Sequence, residues 1–307
     1  MKKLLLVSTV LGLSAGVAAA DISLSGDARM GIIDDFGAIG PQFNSRARVK
    51  FTLSGESDTG ISFGASFRAD NAGGAASGTA GEVFVSGAFG KLSMGDVDGA
   101  AQAAVGQVSG VGYTGLSDLN EIAYLLGGED PSALYEFATG DLAFYVSVQP
   151  NNDNTNFGLG ASYTMGNYKV AIGYESLEDN SVPGSGWPDK IGFAPFFGNG
   201  ATQVVLGADA TFGPVTGKVR FARYSEDNVT AGMDQSALSL DYAVDALTVT
   251  AYYSNYRGTD LYDGTDGDFY GLGAAYDLGG GASVAGGYVK NETTDEDAID
   301  LGMNFKF

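Results

Sequence analysis

Apolar and polar residues alternate along nearly the whole chain from residue 21 to residue 307. The apolar positions include Ile22, Leu24, Met30 and Ile32 at the start, and Ile299, Leu301, Met303, Phe305 and Phe307 at the end. A repeat of two residues is typical of a β-strand that has one apolar and one polar face. The pattern predicts about sixteen strands, starting near residues 21, 42, 60, 81, 92, 132, 141, 155, 167, 201, 214, 234, 245, 266, 281 and 297.

The connections between these segments alternate between short and long. Tight turns separate longer polar stretches at residues 34–41, 71–80, 99–131, 150–155, 179–200, 226–233, 258–266 and 291–296. Short turns at one rim and long loops at the other are typical of a bacterial outer-membrane barrel. A secreted sandwich or solenoid is the alternative. It is disfavoured because the alternate positions are Ser, Thr, Gly, Arg, Lys and Asp, which provide no second apolar face for a packed core.

The fold class is therefore predicted as all-β, a transmembrane antiparallel barrel of about sixteen strands in one domain over residues 21–307. Residues 1–20 are predicted to be a cleaved signal peptide. Lys2 and Lys3 precede an apolar run, and Ala18, Ala19 and Ala20 form a small-residue cleavage site. A transmembrane anchor is the alternative for this segment, but the apolar run is short for crossing the bilayer.

Composition excludes several classes of function. The chain has no Cys and no His, so disulfides, thiolate chemistry, a Ser-His pair and His-ligated zinc are all absent. The formal net charge of −21 makes nucleic acid an unsuitable partner, because phosphate binding needs clustered Lys and Arg. An enzyme is therefore not expected.

A barrel of about sixteen strands is too wide for side chains to fill, so its lumen should hold water and admit small hydrophilic solutes. The longest loop, residues 99–131, begins with small apolar residues and is expected to fold into the lumen as a constriction. Its acidic residues are Asp118, Glu121, Glu129 and Asp130. The facing basic wall is predicted to comprise Arg29, Arg46, Arg48, Lys50 and Arg68 on the first three strands.

The resulting hypothesis is a transverse electric field, with the acidic loop supplying counter-charges to the basic wall. Lys218 and Arg220 add a further basic pair on the polar face of the eleventh strand. The plainer interpretation is a set of ordinary solvated lumen charges. Two other functions stay open: a substrate-specific sugar channel, for which inward aromatic residues are few, and a structural barrel without a pore.

Several stretches also resemble a known family, the Rhodobacter-type general porins. They are 45–55 (SRARVKFTLSG), 83–96 (VFVSGAFGKLSMGD), 111–114 (VGYT), 270–283 (YGLGAAYDLGGGAS) and the closing Phe305-Lys306-Phe307. The resemblance implies a homotrimer of 16-stranded barrels in the outer membrane, an inward-folded third loop, and passive diffusion of small solutes. It places the basic cluster at Arg29, Arg46, Arg48 and Arg68. The loop departs from the family pattern, since it is shorter and less acidic than in the best-known member. Weak cation selectivity is expected.

No cofactor is expected to be required, and calcium is a candidate ligand because such porins hold it in their loops. Asp263, Asp266 and Asp268 lie in a Gly-containing turn that resembles a calcium site but lacks EF-hand spacing. A solvated external loop is the favoured interpretation of this turn. Divalent ions could bridge the acidic external loops to lipopolysaccharide. Lipopolysaccharide and outer-membrane lipid are therefore expected partners.

Overall fold

The chain forms a closed antiparallel barrel of sixteen strands in sequential order. The computed structural model describes residues 21–37, 40–70, 81–127, 132–151, 154–178, 200–227, 230–260 and 262–307. The strands are β1 Asp21–Asp34, β2 Gln42–Glu56, β3 Ser62–Asp70, β4 Glu82–Gly87, β5 Gly90–Gly95, β6 Ser132–Thr139, β7 Leu142–Asn151, β8 Asn154–Met165, β9 Tyr168–Leu177, β10 Ala201–Phe212, β11 Val215–Glu226, β12 Ala231–Val244, β13 Leu247–Asp260, β14 Asp266–Gly279, β15 Ala282–Asn291 and β16 Glu296–Lys306. Every strand begins within three residues of its predicted start, so the predicted fold class is confirmed.

The barrel closes by pairing its first and last strands. β1 and β16 run antiparallel, with Arg29 opposite Asn304 and Ile32 opposite Leu301. Beyond this ladder the backbone N–H of Phe307 donates to the carbonyl of Gly26 at 2.9 Å. Closure leaves no unpaired sheet edge, which is the condition for a sheet to cross a lipid bilayer.

The outer face of the barrel is apolar and exposed. Large side chains at outward positions include Ile22, Leu24, Met94, Val170, Leu240, Leu272 and Leu301. Tyr168, the first residue of β9, stacks edge-on against Phe212, the last residue of β10, and Tyr253 lies against Tyr270 within β13 and β14. An apolar band flanked by aromatic side chains is the surface that an outer-membrane barrel presents to lipid.

The barrel wall is uneven in height because β4 and β5 have only six residues each, whereas β2 has fifteen. Helices contribute little: α1, Ala100–Val105, and a 3-10 turn, Leu116–Asp118, both lie in the connection between β5 and β6. None of the helices in the described part of the chain has the length and apolar character needed to span a membrane.

Candidate functional site

The connection between β5 and β6 folds into the barrel and narrows it; we call it the constriction loop. Helix α1 lies against β7, β8, β9 and β10, and the 3-10 turn lies against β15 and β16. The buried apolar residues of the loop include Ala100, Ala101, Ala104, Val105, Val108, Val111, Leu116, Ile122, Leu125 and Leu126. Because the loop covers the wall from β7 to β16, the open passage lies beside β1 to β6.

The basic side of this passage is formed by β1, β2 and β3. Arg29 lies directly opposite Arg46 in the β1–β2 ladder, and Lys50 lies opposite Arg68 in the β2–β3 ladder. The fifth predicted residue, Arg48, lies between these two pairs on the same face of β2. The structure therefore brings together all five basic residues that the sequence analysis selected.

The counter-charges of this cluster come from the barrel wall. Arg46 Nη2 lies 3.1 Å from Asp27 Oδ1, and Arg48 Nε lies 3.1 Å from Asp70 Oδ2. Arg68 Nε shares the same carboxylate, at 2.6 Å from Asp70 Oδ1. These ion pairs are made by neighbouring strands of the wall, Asp27 on β1 and Asp70 on β3, whereas the sequence pattern predicted counter-charges from the loop.

An acidic recess lies on the other side of the passage, at β4, β5, β6 and the first residues of the constriction loop. It is a recess of about 360 Å³ lined by Glu82, Lys91, Ser93, Asp96, Val97, Asp98, Ala103, Leu134 and Glu136. Lys91 is its one lining cation, 3.7 Å from Glu136. Among the described residues Asp96 and Asp98 form no ion pair with a cation, so their charges face the passage uncompensated.

The pKa of Asp98 is affected by its surroundings and by the carboxylates near it. Its enclosed position inside the barrel disfavours the charged form, and Asp96 and Glu121 add like-charge repulsion. Together these causes raise the pKa of Asp98 above the ordinary value for an aspartate. The carboxylate charge in the recess therefore decreases as the pH falls, starting at a higher pH than for an isolated aspartate.

The acidic residues predicted for the loop do not act as one group. Glu121 exerts a like-charge influence on Asp98 but does not line the acidic recess; it lies beside β12, β13 and β14. Asp118, at the far turn of the loop, interacts electrostatically with Arg29 and so lies toward the basic side. Glu129 and Asp130 fall outside the described residues. Sequence reasoning missed Asp96 and Asp98, which directly precede the predicted loop boundary at residue 99.

Two buried carboxylates on the wall hold the backbone of the constriction loop, and sequence reasoning missed both. Glu175 on β9 accepts the backbone N–H groups of Leu125 and Leu126 at 2.8 and 2.9 Å. Asp300 on β16 accepts the N–H of Thr114 at 2.8 Å and its hydroxyl at 2.6 Å. These hydrogen bonds fix the loop at two distant points of the wall.

A third anchor is basic. The side chain of Arg220 on β11 is only 3% exposed. Its Nε donates to the carbonyl of Gly106 at 3.0 Å. Gly106 ends α1, where carbonyl groups lack helical partners and a cation is favourable. Arg220 also pairs with Asp209 at 2.5 Å. The sequence analysis placed Arg220 on the polar face correctly, but the loop covers it.

In the external turn considered for calcium, the carboxylate of Asp268 is engaged in other contacts. Both oxygens of Asp268 accept from Arg257, at 2.6 and 2.7 Å, and Tyr253 donates to the same carboxylate. Within the described ranges no group of three or more acidic side chains is arranged to hold a metal ion. Calcium at Asp263, Asp266 and Asp268 stays a prediction.

Of the inward aromatic residues in the described ranges, Tyr252 and Phe84 are both engaged by other groups and do not form a track along the passage. Tyr252 is buried against the constriction loop, among Val111 and Leu116. Phe84 lies under the ammonium of Lys91, 5.1 Å from the ring centroid. A sugar-specific channel would need successive exposed aromatic rings, so this geometry favours passage without one bound substrate.

Comparison with known proteins gives a consistent set of relatives. The family model of Gram-negative porins matches residues 7–296. The porin of Rhodobacter capsulatus is 38% identical over 94% of this chain and all of its own length. The porin of Fuscovulum blasticum is 27% identical with the same coverage. A refined porin structure superimposes with a TM-score of 0.78 at 35% identity, covering 94% of this chain and all of that one. An engineered variant of Rh. blastica porin shares the fold, with a TM-score of 0.70 at 24% identity and the same coverage.

Proposed function

The chain belongs to the Gram-negative porin family, and we propose that its diffusion channel is weakly cation-selective, with a transverse field across the constriction. It is a general diffusion porin of the outer membrane and provides a water-filled path for small hydrophilic solutes. The charges that line this path determine which solutes pass most readily.

The observation that carries the proposal is the separation of charge between the two sides of the passage. The basic side has Arg29, Arg46, Arg48, Lys50 and Arg68, partly neutralised by Asp27 and Asp70. Asp118 of the constriction loop is a further counter-charge near Arg29. The acidic side has Glu82, Asp96, Asp98 and Glu136, with Lys91 as its cation. Four carboxylates against one cation leave the larger net charge on the acidic side, so the local potential favours cations by a small margin.

The field also has a consequence for neutral solutes. Opposite charges on two sides of a narrow passage orient water and dipolar solutes across it. An apolar solute would have to displace that ordered water without replacing its interactions. The channel is therefore expected to pass polar solutes better than apolar solutes of equal size.

Reversal potentials in a salt gradient across planar bilayers test the selectivity. We expect Asp96→Asn with Asp98→Asn to lower the cation preference, and Arg46→Glu with Arg48→Glu to raise it. Asp245→Asn is the matched control, since Asp245 is an exposed residue between β12 and β13 and its left-handed φ of 51° suits asparagine. Unchanged reversal potentials in both lumen variants would defeat the proposal.

A homotrimer is the second part of the proposal. β4 and β5 have six residues each, so each extends roughly 20 Å along its own axis, and less along the bilayer normal once tilted. The apolar band of an outer-membrane barrel is about 25 Å tall. The outward side chains of Val83 and Met94 on this low wall are paired across the strands and exposed. Coverage of this wall by other copies of the chain would remove that mismatch, in agreement with the family resemblance.

A further inference from the structure

Each buried charged anchor of the constriction loop has a glycine as its direct cross-strand neighbour. Glu175 lies opposite Gly158 in the β8–β9 ladder. Arg220 lies opposite Gly207 in the β10–β11 ladder, and Asp300 lies opposite Gly287 in the β15–β16 ladder. The three pairs occur at separate positions around the wall, and in each pair both residues face the lumen.

At two of these glycines, Gly287 and Gly207, the constriction loop lies directly against the wall. A Cβ atom added at Gly287 would lie 2.5 Å from the backbone nitrogen of Gly112. One added at Gly207 would lie 2.7 Å from Cγ1 of Val105, at the end of α1. Ordinary contact between such atoms requires about 3.5 Å or more. A side chain at either position is therefore incompatible with the observed position of the loop.

At the third pair the loop is less close, and the nearest atom belongs to the neighbouring wall strand β7. A Cβ atom at Gly158 would lie 2.6 Å from the hydroxyl of Ser147 and 3.2 Å from a methyl of Leu126. The Ser147 hydroxyl accepts the backbone N–H of Ala100, the first residue of α1, at 2.9 Å. Glu175 binds the N–H of Leu126 next to it. Anchor and glycine thus act on the same segment of the loop.

We propose that these anchor–glycine pairs set the cross-section of the channel. The anchor residue holds the loop backbone against the wall by hydrogen bonds. The opposing glycine has no side chain, so the loop can contact the wall directly. The wall strands are hydrogen-bonded to neighbours on both sides, so they cannot retreat from an added methyl group. The loop can move only inward, and a displacement of about 1 Å narrows the passage along its length.

The inference rests on the channel function of the chain and is independent of the proposed charge selectivity. Gly207, Gly287 and Gly158 carry no charge, so replacing them alters the dimensions of the passage and leaves its ionic lining in place. Glu175, Arg220 and Asp300 are positioning residues in this scheme. Their effect on solutes is exerted through the loop.

Single-channel conductance and liposome swelling with neutral sugars of increasing size test the proposal. We expect Gly207→Ala and Gly287→Ala to lower the conductance roughly 1.5-fold and to exclude smaller sugars than the unmodified channel does. The control is Gly217→Ala on β11, which faces outward and whose nearest neighbour would be the flexible end of Leu240 at 3.3 Å. This control should conduct like the unmodified channel.

A compensating variant separates pore narrowing from misfolding. Val105→Ala removes the Cγ1 atom that an alanine at position 207 would meet most closely. The remaining contacts, with Cδ and Nε of Arg220 at 3.1 and 3.2 Å, require shifts of only a few tenths of an ångström, so Gly207→Ala with Val105→Ala should restore conductance and size cutoff. Unchanged or increased conductance in Gly207→Ala would overturn the proposal. If Gly207→Ala does not insert into bilayers, the double variant decides: insertion with unmodified conductance supports the proposal, and failure to insert overturns it. Reversal potentials should stay unchanged throughout, so failure here is distinct from failure of the selectivity proposal.

Discussion

Asp300 on β16 binds Thr114 of the constriction loop through one carboxylate oxygen, which accepts both the backbone N–H at 2.8 Å and the hydroxyl at 2.6 Å. From the adjacent strand β1, Arg29 donates to the carbonyl of the same residue at 3.2 Å. Thr114 is thus held by an anion and a cation on neighbouring strands. This contact joins the basic side of the passage to the far end of the loop.

Loss of this contact should loosen the loop. In Asp300→Ala the partly buried N–H of Thr114 loses its acceptor, which costs about 1 kcal/mol. We expect an increase in open-channel current noise in single-channel recordings, because the loop then fluctuates within the passage. Asp300→Asn is the matched control, since its amide oxygen can still accept one of the two bonds. A current as quiet as that of the unmodified channel in Asp300→Ala would show that Asp300 does not hold the loop.

Cation preference should decline as the pH is lowered, and Asp98 should lose its charge at a higher pH than an ordinary aspartate. Its pKa is raised by its enclosed position and by neighbouring carboxylates. The charged form, which attracts cations, therefore predominates only above that raised pKa. Reversal potentials measured from neutral to acid pH check this. Asp98→Asn should remove the part of the pH dependence that appears first as the pH falls from neutral. An identical pH profile in the variant would rule out Asp98 as its source.

Assembly of the channel should depend on the low wall at β4 and β5. Val83→Lys places a charge on this outward face, where a second copy would have to bury it without a partner. We expect the trimer to dissociate, as measured by light scattering of the detergent-solubilised protein. Leu278→Lys near the end of β14 introduces the same charge on an exposed outward position and should leave the oligomer intact. A Val83→Lys variant that stays trimeric argues against this interface.

The export signal can be tested directly. Residues 1–20 are expected to be removed after Ala20, leaving Asp21, the first residue of β1, as the mature N-terminus. Mass spectrometry of protein isolated from the outer membrane should give the mass of residues 21–307. A mass that includes residues 1–20 would contradict the assignment.

The sequence by itself determined the barrel and one side of its passage. Alternation with a period of two is a local property, and each strand expresses it without reference to distant residues. It gave strand starts within three residues and the direction of each side chain. Because consecutive strands pair in an up-and-down barrel, the basic cluster of Arg29, Arg46, Arg48, Lys50 and Arg68 also followed from parity alone.

The tertiary structure decided everything that depends on the path of the constriction loop. The loop has no repeating pattern, and its course is set by packing and hydrogen bonds to strands far away in sequence. Glu175 and Asp300 resemble ordinary lumen carboxylates until the backbones of Leu125 and Thr114 come within hydrogen-bonding distance. Likewise, the need for a glycine at position 207 arises only because Val105 of the loop packs directly against it. Local periodicity fixes which way a side chain points, whereas its partner across the lumen depends on how the whole loop packs.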